Sequence, residues 1–313
     1  MVQIIQRLGT TATICLDSFF NLLCFITRGG KSLYKIVKKQ ELGTTIIEFE
    51  VLAPKIAAKA ESGQFIIVRL DESSERIPLT IADYDREAGT VTMIFQPVGF
   101  STNALKTLEE GDFILDVVGP LGEASEIENF GTVVCIGGGV GIAPVYPIAR
   151  DLKAAGNRVI SIIGARNEDL LFWKDKMAAI SDELLIATDD GSAGIKGFVT
   201  DVLLDVMSKE EVARVWAIGP MIMMKAVANT TRPSGVKTIV SLNPIMVDGT
   251  GMCGGCRVKI GNETKFACVD GPEFDGHLVD FDLSMTRAGV YKDIEKEATE
   301  NHVCRIGGIG KCQ

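Results

Sequence analysis

Histidine is nearly absent: the 313 residues hold two, His277 and His302. That argues against a histidine-dependent catalytic triad and a histidine-rich metal centre. A basic surplus is missing as well. Lys and Arg total 32 against 41 Asp and Glu, a formal net charge of -9, so the footprint of a general nucleic-acid binder is lacking. There is no internal repeat and no low-complexity tract. A disulfide framework is absent too. The cysteines are Cys15, Cys24, Cys135, Cys253, Cys256, Cys268, Cys304 and Cys312, and three of them crowd one glycine-rich window, which favours metal over disulfides in a long chain. Residues 10–27 (TTATICLDSFFNLLCFIT) come nearest to a membrane or signal segment. Asp17 interrupts them, Arg7 alone stands before them, and no A-x-A cleavage site follows. Their length barely spans a bilayer. Residues 1–31 are expected to be an extension, an amphipathic helix or arm, on a cytoplasmic protein with no firm sign of membrane contact.

The chain is long enough for two or three domains. Residues 32–128 read as short alternating strands: YKIVKKQEL, TTIIEFEVL, GQFIIVRL, RIPLTIADY, TVTMIFQPV and DFILDVVG. Turn residues such as Pro54, Gly63, Gly89 and Gly111 separate them, which predicts a small antiparallel β-barrel with one short helix at residues 102–108. Residues 129–235 change rhythm. TVVCIGGG, RVISIIGA, DELLIATDDG and VARVWAIGP read as strands, and IAPVYPIARDLKAAG, DLLFWKDKMAAI, GFVTDVLLDVM and MIMMKAVANTT as helices. That alternation predicts an α/β domain with a parallel sheet covered on both faces. Residues 236–313, rich in Cys and Gly and then acidic and helical, form a small third module.

Within that module stands Asp248, then Cys253, Cys256 and Cys268, with the spacing D-x4-C-x2-C-x11-C. The plant-type [2Fe–2S] pattern is C-x4-C-x2-C with a distant fourth cysteine; Asp248 occupies the first position. Glycines at 249, 251, 254 and 255 let the backbone curl and aim N–H groups at sulfur. A carboxylate oxygen can complete an iron site, though it is harder than thiolate. A structural zinc knuckle, with Asp248 or His277 as fourth ligand, is the alternative; zinc stretches usually bring a second knuckle, and one is present here.

Two further groups point to nucleotides. Gly137 to Pro144 (GGGVGIAP) lies between an expected strand and helix, where glycines admit a pyrophosphate to a helix N-terminus. Gly219-Pro220 follows a later strand, at the carboxyl edge where open α/β sheets bind ligands, and Asp190 ends another. The turn is no G-x-G-x-x-G fingerprint, so an ordinary dinucleotide dehydrogenase is a poor match. In the barrel, Arg76-Ile-Pro78-Leu79-Thr80 offers a fixed charge for a pyrophosphate and a hydroxyl for a flavin ring. Gly99, Ser101 and Thr102 open the short helix with N–H and hydroxyl donors.

Together, R-x-P-L-T, GGGVGIAP, the Gly-Pro and the C-terminal cysteines resemble the ferredoxin–NADP reductase superfamily. The match is nearest to the electron-transfer subunits of dihydroorotate dehydrogenase and their relatives. Residues 241–253 (SLNPIMVDGTGMC) look most like the branch of small subunits of NADH-dependent ferredoxin:NADP oxidoreductases, also known as sulfide dehydrogenases; Asp248, in place of the dihydroorotate branch's cysteine, favours that branch. The resemblance implies an oxidoreductase with FAD on Arg76, Pro78, Leu79, Thr80, Phe95, Gln96, Gly99, Ser101 and Thr102, with Thr80 foremost in catalysis. It implies NAD(H) on Gly138, Gly139, Gly141, Asp190, Gly219 and Pro220, and a [2Fe–2S] cluster on Asp248, Cys253, Cys256 and Cys268. Ile218 stands where many of these reductases have cysteine before the Gly-Pro. The acidic Asn167-Glu168-Asp169 turn favours NAD over NADP, since it would repel a 2′-phosphate. The implied partner is a larger flavin and iron–sulfur subunit using NADP(H) and ferredoxin, possible seat of electron bifurcation. The alternatives are an electron-transfer subunit for a dihydroorotate dehydrogenase, and a non-redox nucleotide binder with zinc.

Overall fold

The computed structural model describes residues 27–28, 31–43 and 45–297. The apolar run at residues 10–27, apart from Thr27, and Cys304 and Cys312 lie outside the described residues. A short antiparallel pair, β1 (Thr27–Arg28) and β2 (Lys31–Ser32), leads into the barrel.

The barrel is made of β3 (Tyr34–Leu42), β4 (Ile46–Leu52), β5 (Phe65–Arg69), β6 (Ile77–Asp85), β7 (Thr90–Phe95), β8 (Phe113–Ile114) and β9 (Asp116–Leu121). Their order is β8-β3-β4-β7-β6-β5-β9, so β8 and β9 form the two ends of one sheet although Leu115 alone separates them in sequence. The final expected strand is thus divided. Its first part pairs with β3 and its second with β5, and the sheet closes on itself. Residues 113–121 thus border both ends of the sheet, β8 against β3 and β9 against β5. Phe49, Met93, Ile66, Ile81 and Val68 fill the interior, and Phe49 meets Phe95 edge to face at 5.3 Å. Helix α1 (Pro54–Ala57) and helix α2 (Phe100–Lys106) cover the barrel.

The second sheet has the order β13-β12-β11-β10-β14-β15-β18, with β10 (Thr132–Gly138), β11 (Arg158–Ala165), β12 (Glu183–Thr188), β13 (Ile195–Lys196), β14 (Arg214–Ile218) and β15 (Lys237–Ser241) all parallel. The sheet continues past residue 235. Lys237–Ser241 pairs with β14, and β18 (Glu273–Asp275) returns from the cysteine-rich segment to add an antiparallel edge. Helices α3 (Ile142–Ala154), α4 (Lys174–Ile180), α5 (Val199–Lys209) and α6 (Met221–Thr231) flank it. Residues 169–180 are not one helix, as their pattern suggests: a 3-10 turn at Glu168–Leu170 and an extended Leu171 precede α4, and Trp173 adopts φ 54. A hairpin, β16 (Arg257–Ile260) with β17 (Glu263–Phe266), and helix α7 (Phe281–Ala288) complete the third part. Among the described residues no helix is long and apolar enough to cross a membrane.

Barrel and sheet are fastened at the back of their seam. Arg150 on α3 bonds Asp83 on β6 at 2.6 Å and lies over the Tyr84 ring. Lys176 stacks 3.9 Å from the Trp173 ring centre, and the Trp173 indole donates to the buried Glu48 carboxylate of β4 at 3.0 Å. A bulky residue with positive φ persists only where neighbours over-determine it, and Trp173 has such neighbours on both sides of the seam.

Candidate functional site

The sheet's order reverses between β10 and β14: successive crossovers run one way from β10 to β13 and the other way through β14 and β15. Ligands of open α/β sheets bind at the carboxyl ends of strands at such a switch point. A cavity of about 950 Å³ opens there and runs onto the barrel. Its walls come from all three parts of the molecule: Pro78, Leu79 and Thr80 on β6, the glycine turn after β10, and Leu242, Asn243 and Met246, which lead to Asp248. The volume is in the range of cofactor sites.

Glycine makes the turn possible. A Cβ on Gly141 would collide with the Ile218 carbonyl oxygen, and one on Gly219 would lie 2.9 Å from the Gly138 carbonyl oxygen. The turns after β10 and β14 therefore touch backbone to backbone. Gly139 differs. Its φ of +56 favours glycine, and a Cβ there would meet nothing within 4 Å, facing the open cleft that the residue lines. The 3-10 turn Gly139–Gly141 feeds α3, whose first N–H, that of Ile142, donates back to the Gly139 carbonyl; the N–H groups that begin the turn have no acceptor within it. This is a cradle for an anion.

The sequence-expected residues divide. Pro78, Leu79, Thr80, Phe95, Gln96 and Thr102 line the cavity on the barrel side, and Gly138, Gly139, Gly141, Gly219 and Pro220 on the sheet side. Gln96 donates to Thr45 at 3.1 Å, while the Thr80 hydroxyl has no partner among the described residues. Arg76 is exposed at the foot of β6, next to the cavity-lining Ile77. Gly99 precedes α2 and donates to Thr102 Oγ1, and Ser101 donates to Glu75 at 2.9 Å; neither lines the cavity. Asp190 also stands off it, accepting from Ser192, which holds its carboxyl below the ordinary range. The adjacent Asp189 lines the cavity instead. Glu168 pairs with Lys174. Sequence reasoning missed Arg166, Phe198, Met223 and Pro272 in the walls. Asn167, noted in the sequence only as part of the acidic turn, has a buried Oδ1 without a partner among the described residues, one position from Arg166. Such an orphan acceptor suits a ribose hydroxyl.

The second region lies past Met246. Asp248 accepts from the N–H groups of Thr250 and Cys253, both at 2.8 Å, which holds its carboxyl below the usual range. Gly249, Gly251 and Gly254 have φ of +74, +81 and +67. Gly255 N–H points at Cys253 Sγ, 3.4 Å away. Cys253 is exposed, whereas Cys256 and Cys268 are buried with their Sγ atoms 3.1 Å apart. Burial, and then the neighbouring Cys256, push the Cys268 thiol up to about 12. Among the described residues no three donors of His, Cys, Asp or Glu converge on one metal point. The donors sit as a buried pair and a loop-borne pair, all three thiols are free, and N–H groups face sulfur; this donor set fits a two-iron cluster, which takes ligands two per metal.

The geometry matches known proteins. Residues 243–280 match the family described as the iron-sulfur cluster binding domain of dihydroorotate dehydrogenase B, and residues 135–229 the oxidoreductase NAD-binding domain. A Thermotoga maritima homologue of the electron transfer subunit of dihydroorotate dehydrogenase B (NAD(+)) is 50% identical over 279 residues, 89% of this chain and 99% of that protein. The Bacillus cereus (strain G9842) electron transfer subunit of that enzyme is 32% identical over 250 residues, 76% of this chain and 94% of its own length. A solved structure of an NADH-dependent reduced ferredoxin-NADP oxidoreductase, described as giving insights into flavin-based electron bifurcation, superposes with a TM-score of 0.83 at 49% identity, covering 88% of this chain and 99% of that one. Phthalate dioxygenase reductase shares the fold at a TM-score of 0.55 and 19% identity.

Proposed function

We propose, for a chain that belongs to the family of dihydroorotate dehydrogenase B electron transfer subunits and their homologues, a relay in which each of its three parts holds one redox centre. The protein is an electron-transfer oxidoreductase subunit with FAD, NAD(H) and an iron–sulfur cluster as its cofactors. The observation that carries the relay is the shared wall: the residues leading to Asp248 line the same cavity as the barrel and the glycine turn. A flavin held by Pro78, Leu79 and Thr80 in this cavity would supply two-electron hydride chemistry with NADH, and a cluster held by Asp248, Cys253, Cys256 and Cys268 beyond its wall would supply one-electron transfer.

The chain's own task is placement. Pro78, Leu79 and Thr80 would hold the flavin ring, with the unpartnered Thr80 hydroxyl directed to it and Arg76 reaching the pyrophosphate from the rim. Thr102 and the helix start at Gly99 and Ser101 would serve the same phosphates. Gly138, Gly139 and Gly141, with Gly219 and Pro220, would set the nicotinamide and its phosphates against that ring. Asp189 takes the place expected of Asp190 in this cavity. Asp248, Cys253, Cys256 and Cys268 would ligate the iron. No side chain need exchange a proton in this scheme.

Electrons must then leave. The exit is the cluster loop, where Met252 is 88% exposed. We assign the acceptor to a larger flavin and iron–sulfur partner subunit in a heterodimer that uses NADP(H) and ferredoxin, with bifurcation residing in the partner. A carboxylate at position 248 supports that branch. A dihydroorotate-oxidising partner is the second reading, supported by the names of the relatives above. Free thiols at the loop suit a cytoplasmic setting.

Anaerobic NADH titration of the purified holoprotein tests the relay. Flavin bands and the iron–sulfur shoulder should bleach together, and Thr80→Ala should slow both about tenfold with iron content unchanged. Zinc in place of iron, or bleaching of flavin with a permanently oxidised cluster, would overturn it.

A further inference from the structure

Two arginines flank the cluster loop. Arg257, directly after Cys256, donates to the Gly254 carbonyl at 3.0 Å, and Arg287 on α7 donates to the Gly255 carbonyl at 3.3 Å. Neither has a carboxylate within ion-pair distance among the described residues. Four other arginines pair with acids, Arg69 with Asp116, Arg150 with Asp83, Arg158 with Glu210 and Arg214 with Glu126, while Arg86, far from the loop, also donates to a backbone carbonyl, that of Ala60. The two beside the cluster loop are spent on backbone carbonyls instead.

A trans peptide unit is planar, and its C=O and N–H point in opposite directions. Holding the Gly254 carbonyl outward on Arg257 therefore turns the Gly255 N–H inward, and that N–H is the one 3.4 Å from Cys253 Sγ. Holding the Gly255 carbonyl on Arg287 turns the Cys256 N–H away from the guanidinium in the same manner. Gly254, with φ +67, would otherwise be among the freest hinges of the loop.

Helix α7 can hold Arg287 in place. Asp280 caps its first turn by accepting from Leu283 N–H at 3.0 Å, and Asp280 N–H bonds the Lys259 carbonyl of β16. Gly261 N–H bonds the Leu278 carbonyl at 2.7 Å, which ties the helix approach to the β16–β17 hairpin. Phe281 and Ser284 are buried beneath the helix.

We propose that Arg257 and Arg287 are positioning residues that raise the reduction potential of the cluster. They do so by fixing the two successive peptide units that aim the Gly255 N–H at Cys253 Sγ and by placing beside the loop two positive charges that no carboxylate pairs. The inference rests on Asp248, Cys253, Cys256 and Cys268 as ligands. Hydrogen bonds to sulfur and net charge near the cluster are established determinants of potential. Adding an electron to a site bound by three thiolates and a carboxylate is eased by both. Arg287, partly buried and carried on a packed helix, has the larger effect, and Arg257, exposed on a strand, the smaller.

An EPR-monitored redox titration of the holoprotein tests this. Arg287→Ala should keep its iron, yet at a fixed ambient potential its reduced-to-oxidised ratio should fall about tenfold, about 59 mV for one electron. Arg287→Lys should recover part of that shift by restoring charge without the planar fork, and Arg257→Ala should move it less. An unchanged potential in iron-loaded Arg287→Ala overturns the proposal; should that variant lose iron, an unchanged potential in Arg287→Gln does so. Absence of any iron–sulfur signal in the parent protein is a different failure, that of the ligand set itself.

Discussion

The nucleotide cleft and the cluster loop lie on neighbouring stretches of one molecule and are built by opposite means. The cleft is made of backbone: strand ends, glycine turns in contact with each other, and helix starts. Its side chains mostly close gaps. The loop is made of side-chain donors spaced along four left-handed or flexible glycines, with Cys253 exposed and Met252 projecting into solvent. Close-packed strands need no cofactor to define a cleft. A loop whose own contacts are a carboxylate, two guanidinium groups and two touching thiols takes much of its order from the metal it binds. The lesson concerns assembly. One region can receive its ligand ready-made, and the other is finished by it.

Replacing one ligand breaks the comparison most severely. Cys256→Ser should abolish the cluster, with iron per protein falling more than tenfold by metal analysis, while flavin content stays near that of the parent. Loss of flavin together with iron would mean that the cleft is not preformed. Within the cleft, Gly141→Ala should cost about 3 kcal/mol, because its Cβ meets backbone rather than a yielding side chain. Gly139→Ala, two residues away and open to the cavity, should cost only about 1 kcal/mol of αL penalty but weaken NADH binding. Thermal unfolding and KM for NADH separate the two; equal losses of stability would refute the close backbone contact.

A pH-dependent effect lies at the joint between the regions. Glu273 on β18 accepts from Ser125 at 2.7 Å and from Trp216 Nε1 at 3.3 Å, and burial pushes its carboxyl up from 4.5 to about 7. The folded protein thus holds this proton more tightly than the unfolded chain does. Its contribution to stability is complete below about pH 4.5 and is lost as pH rises through 7. Glu273→Gln removes the burden of a buried charge, so its melting temperature should exceed the parent's at pH 8 and approach it at pH 5. The gap corresponds to on the order of 1–3 kcal/mol. A gap independent of pH would show that the carboxyl is not the titrating group.

Much of this was legible in the residues. Alternating Ile, Val and Phe between turn residues marked the barrel strands, because period-two burial is a local property. The Gly137 to Pro144 turn and the Cys253, Cys256 and Cys268 spacing were equally local. What escaped depends on long-range pairing. Nothing at Leu115 announces that the strand changes partners there, and nothing in Glu273–Asp275 reveals that it returns to the parallel sheet. The helix expected at residues 169–180 broke at Trp173, whose indole is committed to Glu48, 125 positions away. Asp189 replaced Asp190 in the wall because adjacent residues leaving a strand face opposite ways. Arg287 carries no motif, and only packing of α7 brings it to the cysteines.

The chain has two tryptophans, Trp173 and Trp216. Each sends its indole N–H across a seam to a glutamate, Trp173 to Glu48 between sheet and barrel, Trp216 to Glu273 between sheet and cluster segment. The molecule therefore has a natural fluorophore at each joint. Emission of the Trp173→Phe protein reports on one seam and that of Trp216→Phe on the other, so opening of either can be followed optically without a label.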